Sequence, residues 1–130
     1  MAEKYVLTLT REQAVVARDA LELYARLKLG QFENITEKIM NFNPGDFSSH
    51  ERREIANGLL KTVAKLIFGE DEYGQPSGKK DLEHYRAWSI YTTLRHKMAW
   101  HDHPEGGMGV SFDKPYPFDN EQPPFCEVKD

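Results

Sequence analysis

Apolar residues along most of this chain recur at three- and four-residue steps, the period of a helix with one buried side. Lys4–Leu9 is the early exception: Tyr5, Leu7 and Leu9 alternate with Val6 and Thr8, as in a short strand. Thr10 ends that run and forms a capping box with Gln13, which opens a helix over Arg11–Leu29. Val16, Ala20, Leu23 and Leu27 share one stripe of it, widened by Leu21 and Tyr24. Gly30 stands where a glycine closes a helix. Phe32, Ile35, Ile39 and Phe42 then predict a second helix over Gln31–Phe42, joined so tightly that it must neighbour the first. Asn43-Pro44-Gly45-Asp46 reads as a turn.

Ser48 and Glu51 make a second capping box, and a third helix follows to about Phe68, with Gly69 closing it. Ile55, Leu59, Val63, Leu66 and Ile67 are its expected buried face. Gly58 inside it costs about 1 kcal/mol against alanine, for which close helix packing is the usual reason. Glu70–Lys80 is a polar loop and the one candidate for a mobile connection. Asp81 can cap a fourth helix running to about Trp100. Its apolar and aromatic residues, from Leu82 and Tyr85 to Met98 and Trp100, spread almost all round, as in a helix central to a core or buried in an oligomer. After Pro104 the chain is rich in proline and glycine. Val110 and Phe112 alternate as a short strand able to pair with Lys4–Leu9, and Pro115, Pro117, Pro123 and Pro124 favour extended packing. The expected fold is therefore mainly α: about four helices and a small two-stranded β element. Residues 1–130 form one domain, with an extended proline-rich segment from about residue 104.

Composition narrows the class. With 39% hydrophobic and 12% aromatic residues the chain can build a core, yet no run approaches the roughly 18 apolar residues of a membrane span. The N-terminus, MAEKYVLTLTREQ, shows no secretory signal. The single cysteine, Cys126, allows no internal disulfide and excludes a cysteine-rich zinc site, which fits a reducing cytoplasm. A net charge of −4 argues against general nucleic-acid binding. That charge is uneven: residues 79–101 carry five bases and two acids, and residues 102–130 carry two bases and seven acids. A basic segment before an acidic tail is either an anion site or a helix that the tail pairs with.

The candidate chemistry gathers in Arg95–Asp113, RHKMAWHDHPEGGMGVSFD. Arg95 offers a bidentate fork for phosphate, Trp100 a stacking face for a base, and Gly106 and Gly107 backbone N–H groups that an anion can approach. His96 lies beside them. The competing reading makes Trp100 core, pairs Arg95 with Asp113 or Glu105, and leaves the glycines as a turn. His96, His101 and His103 with Asp102 suggest a metal site, but a step of five positions from His96 to His101 turns the second side chain about 140° away on a helix. No catalytic motif is present, and Cys126 sits in an acidic tail that raises its pKa, so the reading is non-enzymatic and without a cofactor. At Leu23–Ile35, Tyr24, Arg26, Gly30, Gln31 and Phe32 mark a tight helix corner, where Arg26 and Gln31 either serve a pocket or simply hold the turn.

Two stretches carry a resemblance. LTLTREQAVVARDALELYARLKLGQFENI and RHKMAWHDHPEGGMGVSFD, about 48 of 130 residues, resemble the two ends of small uncharacterised accessory proteins of tailed bacteriophages. The Leu-Gly-Gln-Phe-Glu corner and the Ala-Trp…Pro-Glu-Gly-Gly run are the specific parts. His101, Asp102 and His103 depart from the family's pattern, which is closer to Asp-Arg-Asn, and this weakens the metal reading. The resemblance implies expression in the cytoplasm of a bacterial host and supplies no catalytic residue. Such proteins often disarm host defence, some by trapping nucleotide signals and others by covering a protein. The expected function is thus counter-defence by sequestering a nucleotide-type signal, with a protein–protein inhibitor or adaptor as the alternative. A homo-oligomer is expected from the aromatic surface of the fourth helix.

Overall fold

Thr10 starts the first helix as its sequence predicts. Its hydroxyl accepts the Gln13 backbone N–H and the Gln13 side chain accepts the Thr10 N–H. The structure, a computed structural model, describes residues 3–40, 45–118 and 121–130. Helix α1, Arg11–Lys28, ends in a complete Schellman turn: the Gly30 N–H donates to Leu27 and the Gln31 N–H to Arg26, with Gly30 at φ +82°. That turn consumes Gln31–Glu33, so α2 is shorter than expected, Asn34–Ile39. Phe42 and the first part of the expected Asn43–Asp46 turn lie outside the described residues.

Helix α3 spans Phe47–Phe68 and Gly69 closes it at φ +80°. Its cap is Asp46, not Ser48: the Asp46 carboxylate accepts the Ser48 N–H at 3.0 Å. Aspartate caps as well as serine, and Asp46 comes first along the chain. The expected buried face is corrected more deeply. Ile55, Leu59, Val63, Leu66 and Ile67 are exposed, whereas Ser49 and Ala64 are buried. The side of α3 that meets the chain is the opposite one, where Asn57 receives the buried Thr36 hydroxyl of α2 at 2.6 Å. A Cβ on Gly58 would meet nothing within 4 Å, so no close packing within the chain explains that glycine.

The 70–80 loop is pinned. Asp71 accepts the N–H groups of Tyr73 and Gln75, and Glu70 bridges to Pro76. The Lys79 N–H donates to the Lys28 carbonyl at 2.7 Å. Gly78 lies so close to α1 that a Cβ there would sit 2.1 Å from the Leu29 carbonyl carbon.

Helix α4, Leu82–Asp102, is capped by Asp81 and runs two residues past its expected end. It packs antiparallel on α1. Arg11 grips Asp102 with both guanidinium nitrogens at 2.8 and 2.7 Å, and Lys28 pairs with Asp81 at 2.6 Å at the other end. Between them the buried His84 ring meets the Ala25 carbonyl at 2.8 Å. Ala25, Ala87, Tyr91 and Met98 are buried along α4 and its neighbour. Rather than being apolar and buried all round, α4 leaves Leu82, Ile90 and Trp100 partly exposed.

The two-stranded β element does not form: among the described residues there is no strand. Lys4–Leu9 has no regular secondary structure and is exposed up to a half-buried Leu9, and Val110–Phe112 is a single 3-10 turn. The physical reason lies in α4, whose side chains take the carbonyls a ladder would need. Trp100 donates to the Phe112 carbonyl, and the His96 ring lies 3.3 Å from that of Ser111. The tail then doubles back along α4. Phe118 stacks on Tyr85 at 5.4 Å, Glu121 pairs with Arg86 at 2.7 Å, and Asp130 approaches His101 at 3.6 Å. Among the described residues no helix is long and apolar enough to cross a membrane.

Candidate functional site

Helix α4 carries two groups of functional side chains on different faces. His84, Trp88, Tyr91 and Arg95 follow at four-, three- and four-residue steps and form one ladder. His84 stacks on Trp88 at 6.4 Å, Trp88 meets Tyr91 at 5.0 Å, and the Arg95 guanidinium lies 5.0 Å over the Tyr91 ring. Arg26 of α1 covers Trp88 at 5.4 Å and reaches Gln31 at 3.3 Å. Arg95 also donates to the Tyr91 hydroxyl at 3.2 Å. Its Nε is buried with no hydrogen-bond partner, and among the described residues no carboxylate pairs with it.

Beside the ladder, Glu22 takes Lys38 at 2.7 Å and Arg26 at 3.1 Å. Burial pushes the Glu22 carboxyl up, but the hydrogen bonds from Lys38 and Arg26 outweigh it and hold the group below its ordinary value. For Lys38 burial acts downward, and the bond to Glu22 overcomes it and raises the amine.

The second group closes the end of α4. Trp100 Nε1 donates to the Phe112 carbonyl at 3.0 Å, and the two rings meet edge to face at 5.5 Å. His96 lies 6.4 Å from the indole. Gly106, at φ +87°, rests on that indole: an added Cβ would sit 3.0 Å from it. An added Cβ on Gly107 would come within 2.7 Å of the Phe112 ring. Both glycines therefore serve ring packing, and the Gly106 N–H is already donated to the His103 carbonyl.

The structure thus brings His96, Trp100, Gly106 and Gly107 together and sets Arg95 apart, against Tyr91. Five residues separate Arg95 from Trp100, about 140° on a helix, and no fold-back of the loop closes that gap. The histidines are dispersed as well. His101 faces Asp130 and His103 faces Glu105 at 3.7 Å, while Asp102 belongs to Arg11. Among the described residues no group of three such side chains could hold a metal. Burial raises the Cys126 thiol despite the charge of Lys97, the opposite of nucleophile activation.

Two features escaped the sequence. The ladder joins Arg26 to Trp88 across 62 positions, so no local spacing reveals it. The open face of α3 was legible as apolar but not as uncovered. At the Gly30 corner an open cleft of about 430 Å³ is lined by Gln31, Glu33, Asn57 and Lys61 among others, a mixed polar surface without a titratable cluster aimed into it. No family model, curated protein or solved structure matches the chain.

Proposed function

We propose that this chain is a non-enzymatic binding protein, a phage accessory factor that acts in the cytoplasm of a bacterial host by covering a protein partner in counter-defence. One observation supports this over sequestration of a nucleotide. Trp100 and Phe112 pack against Gly106 and Gly107, and beyond that contact Met108 and Val110 stand outward, at 98% and 63% exposure. A loop that presents apolar side chains from a packed base is suited to a partner's surface. The resemblance of both ends of the chain to small phage proteins supplies the biological setting. The occupied histidines and the raised Cys126 thiol favour binding over catalysis.

The test compares tagged wild-type protein with a Met108→Asp, Val110→Asp variant in bacterial lysate. The reading expects one host protein, identified by mass, to be captured by the wild type and lost with the variant. Equal capture by both, or none by the wild type, contradicts it. The nucleotide reading keeps one supporting observation, the Arg95 guanidinium without a carboxylate. It expects a nucleotide to raise the melting temperature of the wild type and not of Arg95→Gln; an unchanged wild type removes it.

A further inference from the structure

We propose that the exposed face of α3 pairs antiparallel with the same face of a second copy of this chain. The inference rests on α3 alone and does not depend on the Met108 loop.

At 100° per residue, Ile55, Leu59, Thr62 and Leu66 fall within about 60° of one another, on the side opposite the buried Ala64. Ile55, Leu59 and Leu66 are 57%, 64% and 81% exposed, and Val63 and Ile67 flank them on one side. This is a mainly apolar stripe about three turns long, and among the described residues α2 meets α3 on the other side, at Asn57.

Area sets the scale. The chain exposes 9896 Å², whereas a folded monomer of 15.1 kDa exposes about 7,100 Å². The extended ends contribute part of the surplus of about 2,800 Å², and a stable dimer needs only about 800 Å² from each partner.

The pattern is also self-complementary, as an isologous contact requires. The stripe's midpoint lies between Leu60 and Lys61. A two-fold axis there sets Ile55 against the partner's Leu66 and Leu59 against the partner's Thr62. On one flank the nearest charged pair across that axis is Glu54 with the partner's Lys65, offset by about 3 Å along the helices. Among the described residues Glu54 forms no ion pair within its own chain, and Lys65 lies 3.6 Å from its own Glu70, an exposed contact it can share. Gly58 flanks the centre with open space at its Cβ, so it lets the two backbones approach. A parallel pairing would instead set Arg52 and Glu54 beside their own copies.

The test uses the full chain. Sedimentation should give about 30 kDa, twice the 15.1 kDa of one chain, and Leu59→Arg should reduce it to one chain with helical circular dichroism unchanged. Leu59 is exposed, so the charge is tolerated by the fold itself. In a Cys126→Ser background, Thr62→Cys should join two chains through a short bis-maleimide, and Ser48→Cys should not, because its two copies stand more than about 30 Å apart. A single-chain mass at every concentration, a dimer untouched by Leu59→Arg, or equal crosslinking at both positions overturns the proposal.

Discussion

Single residues in this chain are decided by neighbours near in sequence or by neighbours far from it, and only the first kind can be read in advance. Thr10 with Gln13, Asp81 before His84, and Gly30 and Gly69 at helix ends are local, and the structure keeps them all. Glu22 is the other kind. It lies against Lys38 and Arg26 in a half-buried network that no motif announces. Its folded-state pKa lies below the ordinary 4.5, so its contribution is complete above the unfolded value and drains away as pH falls through the folded one. Lys38, held above 10.5, contributes fully below that value and loses its share as pH rises past the folded one. Glu22→Gln should therefore flatten the acid side of the melting-temperature profile, where pH falls below the ordinary 4.5. A profile as steep as the wild type's would remove Glu22 from the stabilising network.

At the scale of elements, four helices were legible because the apolar stripes of α1 and α3 are long and because α4 has its Asp81 cap and an unbroken apolar and aromatic run. It failed where an element depends on what covers it. Lys4–Leu9 and Val110–Phe112 have strand patterns, yet the Phe112 carbonyl is taken by Trp100, and alternation without a partner gives no ladder. The apolar face of α3 was visible in the spacing of Ile55, Leu59 and Leu66, but spacing does not say which chain buries it. The 70–80 loop looked free because its residues are polar, and it is fixed by backbone contacts that composition does not encode. Gly78→Ala tests that fixing. Its Cβ would overlap the Leu29 carbonyl, so either the loop or the end of α1 must shift. The substitution should lower stability in urea by about 1–3 kcal/mol, the range for a side chain forced into a filled space. A change below about 0.5 kcal/mol would show that the loop does not hold that contact.

For the whole molecule, the α1–α4 pair with its aromatic and arginine ladder is the packed part, and the acidic tail lies along its own α4. Of the residues that the sequence singled out, Trp100, His96, Gly106 and Gly107 meet at the end of α4, and Arg95 lies on another face against Tyr91. The expectation that α4 would drive self-association moves to α3, because α1 and the tail cover much of α4 while, among the described residues, the side of α3 that carries Ile55, Leu59 and Leu66 stays exposed. The central claim, that α3 is uncovered in one chain and covered by a second, is tested most directly by amide hydrogen exchange at two protein concentrations on either side of dissociation. Protection across α3 should rise with concentration while that of α1 and α4 at their contact stays the same. Equal protection of α3 at both concentrations, or a rise confined to α4, would contradict it.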